Sequence, residues 1–150
     1  MHSNQYGRLA VMALLSFVAM FAFMYSMVDK FENVFPNLNQ FYMTATMAAP
    51  MVLIEVLVMW AMYQNRTLNL AIVAAAFVAT FAFFFMIREQ AGVTDAQFLK
   101  SMIPHHAGAI LMCEKAPVQD KDVKALCQGI ITGQRAEIAQ MKAKLKSLEN

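Results

Sequence analysis

The sequence predicts an all-α protein in which three transmembrane helices are followed by a soluble helical hairpin. Three observations carry that prediction. Leu9 to Val28 and Leu68 to Ile87 are uncharged runs of 20 residues, and Phe41 to Tyr63 is a third apolar run interrupted only by Glu55. The charges lie behind these runs. Through Ile87 there are three basic residues (Arg8, Lys30, Arg66) and three acidic ones (Asp29, Glu32, Glu55), whereas nine basic and seven acidic residues lie from Arg88 onward. Beyond residue 94, apolar residues recur at helical spacing in two stretches separated by "KAPVQD".

Each apolar run matches the roughly 20 residues that a helix needs to cross about 30 Å of hydrocarbon. Backbone groups in lipid must be satisfied inside the segment, so helices are the expected form. A buried soluble three-helix core is the competing reading, but three such runs within the first 87 residues do not suit a soluble domain of this size. The first run is too long for a signal core, and bulky residues ("MYSMVDKFENVF") follow it instead of a small-residue cleavage site. The expected organisation is a three-helix transmembrane region over 1–87, a short linker over 88–93 and a helical hairpin over 94–150, with the lipid bilayer as partner. The formal charge of +2 is too small to argue for nucleic acid. Charge barely sets the orientation. With the N-terminus inside, Arg8 and Arg66 face Lys30, Arg88 and Lys100 across the membrane.

In the tail, Thr94 and Gln97 have capping-box spacing, so a helix should start at Thr94. Phe98, Leu99, Met102, Ile103, Ile110 and Leu111 mark its apolar positions. Pro117 punctuates the break, and a second helix should start near Asp120, with Val123, Leu126, Ile130, Ile138, Met141 and Leu145 along its stripe. Lys142, Lys144 and Lys146 suit its negative C-terminal end. A fold about residue 118 sets Met102 level with Gln134 and the two adjacent histidines level with Ile130 and Ile131, with Glu137 and Met141 one to two turns further along. Gly129 and Gly133 each cost about 1 kcal/mol against alanine in a helix, which is understandable if the facing helix or a ligand comes close.

The stretch "SMIPHHAGAILMC" holds two histidines, two methionines and a cysteine. Sulfur donors select Cu(I) and similar soft ions over hard cations. At helical spacing, Met102, His106 and Cys113 fall within about 40° of one another, and His105 and Met112 form a neighbouring pair. Pro104 cannot donate to the Lys100 carbonyl, so the helix should kink just before the histidines. The alternative is bland: methionine at helical spacing often only fills a core.

"FLKSMIPHHAGAILMCEKA", followed by "IITGQRAEIAQMKAKL", resembles the bacterial family called domain of unknown function 305. The family pattern is matched at Met102, His105, His106, Ala109, Ile110 and Met112, then at Gln134, Glu137, Ile138 and Met141. The resemblance covers roughly residues 94–148. It implies a ferritin-like helical domain found with copper-handling genes, in which some members bind copper or silver through His and Met. Residues 1–87 resemble a membrane-anchored branch with three spans. The resulting metal-site candidates are Met102, His105, His106, Met112, Cys113, Gln134, Glu137 and Met141, for Cu(I) with silver as a substitute. Exported relatives would put the tail in the periplasm and Met1 in the cytoplasm, across a bacterial inner membrane.

A membrane path for metal is also conceivable. Met43, Met47, Met51, Glu55 and Met59 are spaced four apart on the second run, and Met24 and Met27 near the end of the first make a shorter stripe with Met20. The alternative is that methionine is merely a tolerated apolar side chain in lipid. Glu55 is the sharper clue, because an ionisable residue inside a span is expensive; Tyr25, Ser26 and Thr80 are candidate partners. Pro50, one turn before it, should kink the span. Cys113 and Cys127 allow two readings, a disulfide closing the hairpin or thiolate ligands for copper.

The leading expectation is a membrane-anchored, non-enzymatic copper-binding protein serving copper homeostasis or resistance, which passes metal to copper-handling proteins. The alternatives are a ferritin-like metal oxidase and a structural or adaptor membrane protein. Against the oxidase, the tail lacks the glutamates and E-x-x-H motifs of di-iron bundles. A single hairpin buries little surface alone, so two copies should pair into a four-helix bundle, with Leu145 on the shared stripe; the alternative is a monomer whose hairpin leans on its own membrane helices.

Overall fold

A computed structural model of the protein describes residues 4–149. Among these residues the chain is all-helical. It has five α-helices, α1 (Asn4–Phe23), α2 (Leu38–Val58), α3 (Arg66–Arg88), α4 (Asp95–Lys115) and α5 (Lys121–Leu148), with two short 3-10 turns, Met24–Met27 and Phe31–Asn33, between α1 and α2. Three segments are long and apolar enough to cross a membrane: Gln5–Met27, Leu38–Val58 and Arg66–Arg88. The third histidine, His2, lies outside the described residues.

The chain forms two compact units. The first comprises Met1–Phe23 and Asn39–Ala91; the second comprises Met24–Leu38 and Gly92–Asn150.

In the first unit, Val56 is fully buried, with Leu9 and Tyr63 beside it and Met12, Val52, Met59, Ile72 and Val73 packed around them. Polar bonds join α1 to the start of α3. The buried Asn69 side chain accepts a hydrogen bond from the Tyr6 hydroxyl at 2.7 Å and donates to the Tyr63 carbonyl at 2.8 Å. Asn65 caps α3, its side chain accepting from the Leu68 N–H. Both Pro50 and Pro104 are accommodated inside continuous helices.

In the second unit, α4 and α5 form the expected hairpin. Ile103, Ala107 and Ile110 of α4 meet Ile138 and Leu145 of α5 in a buried cluster. The connector between α1 and α2 completes this cluster: Val28 and Phe35 pack against it, and Lys142 sits over the Phe35 ring, 6.0 Å from its centroid. Both 3-10 turns lie against α4. Gly108 is where the connector comes close, because a Cβ there would stand 3.6 Å from the Met27 carbonyl oxygen.

Pro104 explains a second tie. Its missing N–H frees the Lys100 carbonyl, and leaving such a group buried without a donor costs about 1–3 kcal/mol. The buried Asn37 side chain supplies the donor, at 3.3 Å. One turn earlier, Gln97 Oε1 accepts from the Leu38 N–H at 2.8 Å, at the first residue of α2. Gln97 therefore satisfies another helix's N-terminus. Only half of the predicted capping box forms, with the Thr94 side chain accepting from the Gln97 N–H.

The helix starts follow the sequence. Thr94 caps α4 and Asp120 caps α5, the latter accepting from the Asp122 and Val123 N–H groups. The hairpin register does not. His106 meets Glu137, about two helical turns beyond the predicted level at Ile130. The connection between α4 and α5 is an extended link, and α5 is displaced along α4 relative to a fold about residue 118. Gly129 and Gly133 consequently face open space, with nothing within 4 Å of a Cβ at either position. They are not points of close helix approach.

Candidate metal centre

The face of α4 predicted by helical spacing is the face that meets α5. His106 and Cys113 both reach across to it. The His106 Nδ1 lies 2.9 Å from the Met102 carbonyl oxygen, one turn back, and its Nε2 lies 2.8 Å from Glu137 Oε2. A carbonyl can only accept, so the Nδ1 contact fixes the ring and directs Nε2 toward α5. Ring orientation through a backbone carbonyl is how metal-binding histidines are commonly held. Here the position in front of Nε2 is taken by a carboxylate. Glu137 is half-exposed at 55%, against 11% for the His106 side chain, so the carboxylate is the freer partner of the two.

His105 stands beside His106, with ring centroids 6.0 Å apart and planes at 61°, and it is exposed. Met102 and Gln134 are half-buried, and Met141 packs against the hairpin core. Met112 is 57% exposed and does not join the α4–α5 seam. Among the described residues, no three His, Cys, Asp or Glu side chains gather into one cluster. The fit to a soft cation is therefore partial: one oriented imidazole, a second beside it and thioethers one turn or more away.

Cys113 and Cys127 of α5 are both free thiols and both half-buried. The neighbouring Cys127 thiol, with burial adding to it, pushes the Cys113 thiol above its ordinary pKa. The sequence leaves the two cysteines open between a disulfide and thiolate ligands for copper, with Cys113 among the metal-site candidates. Glu114 makes a 2.6 Å ion pair with Arg135 next to this seam, and Lys100 pairs with Glu149 at 2.8 Å.

In the first unit, Glu55 borders a cavity of about 250 Å³ with Arg8, Met12, Met59, Met62 and Tyr63. None of the three predicted partners lines it. The Thr80 hydroxyl donates to the Ala76 carbonyl of its own helix, and Tyr25 and Ser26 belong to the second unit. Met43 and Met47 turn outward, at 44% and 53% exposure, while Met51 is half-buried. Met24 and Met27 lie in the first 3-10 turn, also in the second unit.

Fold and site together define an all-helical protein with three helices of membrane-crossing length and a histidine-bearing hairpin. The comparisons name its relatives. The family described as "Domain of unknown function (DUF305)" matches residues 86–147. The chain is also 31% identical over 146 residues to "Uncharacterized protein L153" of Acanthamoeba polyphaga mimivirus, covering 93% of each chain. This chain belongs to the DUF305 family. The viral likeness extends well beyond the hairpin into the apolar helices. No solved structure matches the chain.

Proposed function

We propose that the protein is a membrane-anchored binder of Cu(I), with Ag(I) as a substitute, serving copper homeostasis or resistance at the cell envelope. The observation that carries this reading is the His106 imidazole, held by its Nδ1 on the Met102 carbonyl with Nε2 aimed across the seam. His105 adds a neighbouring nitrogen, and Met102 and Met141 offer soft sulfur nearby. Donor softness favours Cu(I) over calcium or magnesium. A cation at Nε2 would take the place of the Glu137 contact. Holding metal suits the site better than turning it over. The carboxylates that a di-metal oxidase would need are engaged, Glu114 by Arg135 and Glu137 by His106.

Replacing both His105 and His106 with alanine is expected to abolish the tightest Cu(I) site while the protein stays helical. Competition titration of the purified protein, with circular dichroism as the folding check, measures this. Unchanged affinity and stoichiometry in the variant would sink the reading, and oxygen-dependent turnover of a reduced metal would mark an oxidase instead.

We place the chain in a bacterial inner membrane, with the second unit in the periplasm, where it would meet copper-handling proteins. The connector after the first apolar helix and the tail after the third belong to one compact unit, which suits three crossings that leave both segments on one side. A phosphatase reporter fused after Asn150 is expected to be active. A silent phosphatase with a bright fluorescent-protein fusion at the same residue would reverse the orientation.

Pairing of two copies is the assembly we propose, through different residues from those predicted. Leu145 is buried in the hairpin's own core, whereas Leu126 and Val123 are exposed at 62% and 42%. A cysteine at Leu126, with Cys113 and Cys127 removed, is expected to crosslink in native membranes. Monomer alone at both Leu126 and Val123 would exclude the pairing.

A further inference from the structure

Arg8 and Glu55 are opposite charges on two helices of the first unit, and they border one cavity of about 250 Å³. They do not pair with each other across it. Among the described residues the ion pairs are Lys100–Glu149, His106–Glu137 and Arg135–Glu114. Both charges lie about one turn inside a helix end, Arg8 after the start of α1 and Glu55 before the end of α2. Leu9 and Val56 pack in one cluster, so these two ends are level. Helices of this length about match the hydrocarbon core, which puts both charges at its boundary with the headgroups. An open groove of about 400 Å³ begins at Arg8 and follows α1 inward past Val11, Met12, Leu15 and Ser16. Val11 and Leu15 are 57% and 63% exposed, so this groove offers an apolar wall to lipid.

We propose that this end of the first unit binds one phospholipid with a zwitterionic, primary-amine headgroup, of the phosphatidylethanolamine type. The Arg8 guanidinium takes the phosphate, because its planar fork of N–H donors matches two phosphate oxygens. The Glu55 carboxylate accepts from the ammonium in the shared cavity. One acyl chain follows the groove along Val11 and Leu15. Charge decides against the other occupants. A metal cation held by Met12, Met59 and Met62 would share the cavity with Arg8, and like charge opposes it. An anionic lipid would satisfy Arg8 but set its phosphate against the Glu55 carboxylate. A fully methylated amine keeps the positive charge and has no N–H to donate. A headgroup with both a phosphate and an N–H-bearing cation answers both side chains. The proposal rests on the first unit lying in a membrane, and not on metal binding by the hairpin.

The test uses the full-length protein, extracted from native membranes and exchanged into lipid-free detergent. Phosphatidylethanolamine, phosphatidylcholine and phosphatidylglycerol with identical chains are added singly, and bound lipid is counted by native mass spectrometry. Wild type should bind phosphatidylethanolamine tighter than phosphatidylcholine by roughly ten-fold or more, the worth of one hydrogen bond to a charged group. Glu55→Leu should erase that preference, and Arg8→Gln should weaken both lipids. Arg66→Gln, a change at the start of α3 outside the cavity and the groove, should do neither. Equal binding of phosphatidylethanolamine and phosphatidylcholine by the wild type would overturn the proposal without any variant. Tighter binding of phosphatidylglycerol would assign the site to an anionic lipid and overturn it as well. Glycerophosphoethanolamine, the soluble headgroup, should not displace the lipid. If it does, the groove along α1 holds no chain and the lipid assignment falls. Failure of the membrane reading shows differently, as release of the protein from native membranes by an alkaline carbonate wash. That result removes both readings, whereas retained protein with no lipid preference removes this proposal alone.

Discussion

Ile103→Asp is expected to unfold the hairpin unit. Ile103 is fully buried between α4, α5 and the connector. Truncating such a side chain costs about 2–5 kcal/mol through lost contacts and the cavity left behind. A carboxylate adds to that, because it must either stay protonated or carry a charge where no partner stands. Whole domains are stable by only about 5–15 kcal/mol, and a unit of this size lies toward the low end. Hydrogen exchange and limited proteolysis over residues 94–149 in detergent should show the variant open and cut, while α1 to α3 stay protected. Leu148→Asp is the control. Leu148 is 42% exposed, so that change should stay within about 0.5 kcal/mol of wild type. Wild-type protection in Ile103→Asp would mean that this cluster does not hold the hairpin.

Asn69→Leu should weaken the first unit by about 2–3 kcal/mol. Asn69 is fully buried and makes two good bonds, accepting from Tyr6 and donating to the Tyr63 carbonyl. Leucine has similar bulk but can replace neither bond, and a buried group left without its partner costs about 1–3 kcal/mol. The penalty is capped because interhelical polar contacts in membrane proteins average only about 0.6 kcal/mol and reach about 1.7. Tyr6→Phe is a second probe, since it leaves the Asn69 bond to Tyr63 intact and removes the hydroxyl's bonds to Asn69 and to the Asn65 backbone. The difference can be measured as unfolding free energy in mixed micelles. Equal stability of Asn69→Leu and wild type would show that apolar packing around Val56 is sufficient.

The three apolar helices and both helices of the hairpin were legible because each rests on a one-dimensional signal: an uncharged run, a cap, a period of 3.6. Thr94 and Asp120 cap the helices they were expected to cap. What failed needed a third dimension. The register was set by folding the hairpin about residue 118, whereas His106 meets Glu137 about two turns beyond that level. Gly129 and Gly133 looked like points of close approach, yet that role falls to Gly108, whose neighbour is the Met27 backbone. The sequence places Met24 to Val28 at the end of the first apolar run and gives residues 29–38 no role in the hairpin. Its Phe35 and Val28 carry no period of their own, so their packing on the hairpin could be known only from the fold. The surroundings of Glu55 come from the start of α1, which sequence distance conceals, and not from Tyr25, Ser26 or Thr80.

The connector also dictates an order of assembly. Asn37 and the Lys100 carbonyl are 63 residues apart in sequence, and synthesis proceeds at about 5–20 residues per second. For some seconds the newly made Val28, Phe35 and Asn37 precede the hairpin they pack against, while α2 and α3 are still being produced. The hairpin closes onto a surface that was delivered before it existed. Contacts of such long sequence separation slow folding, because the intervening loop must be closed before they contribute. The tail is therefore not a detachable module. A fragment beginning at Gly92 would lack one wall of its own core and the donor for its proline-freed carbonyl, and anyone expressing the tail alone should carry residues 24–38 along with it.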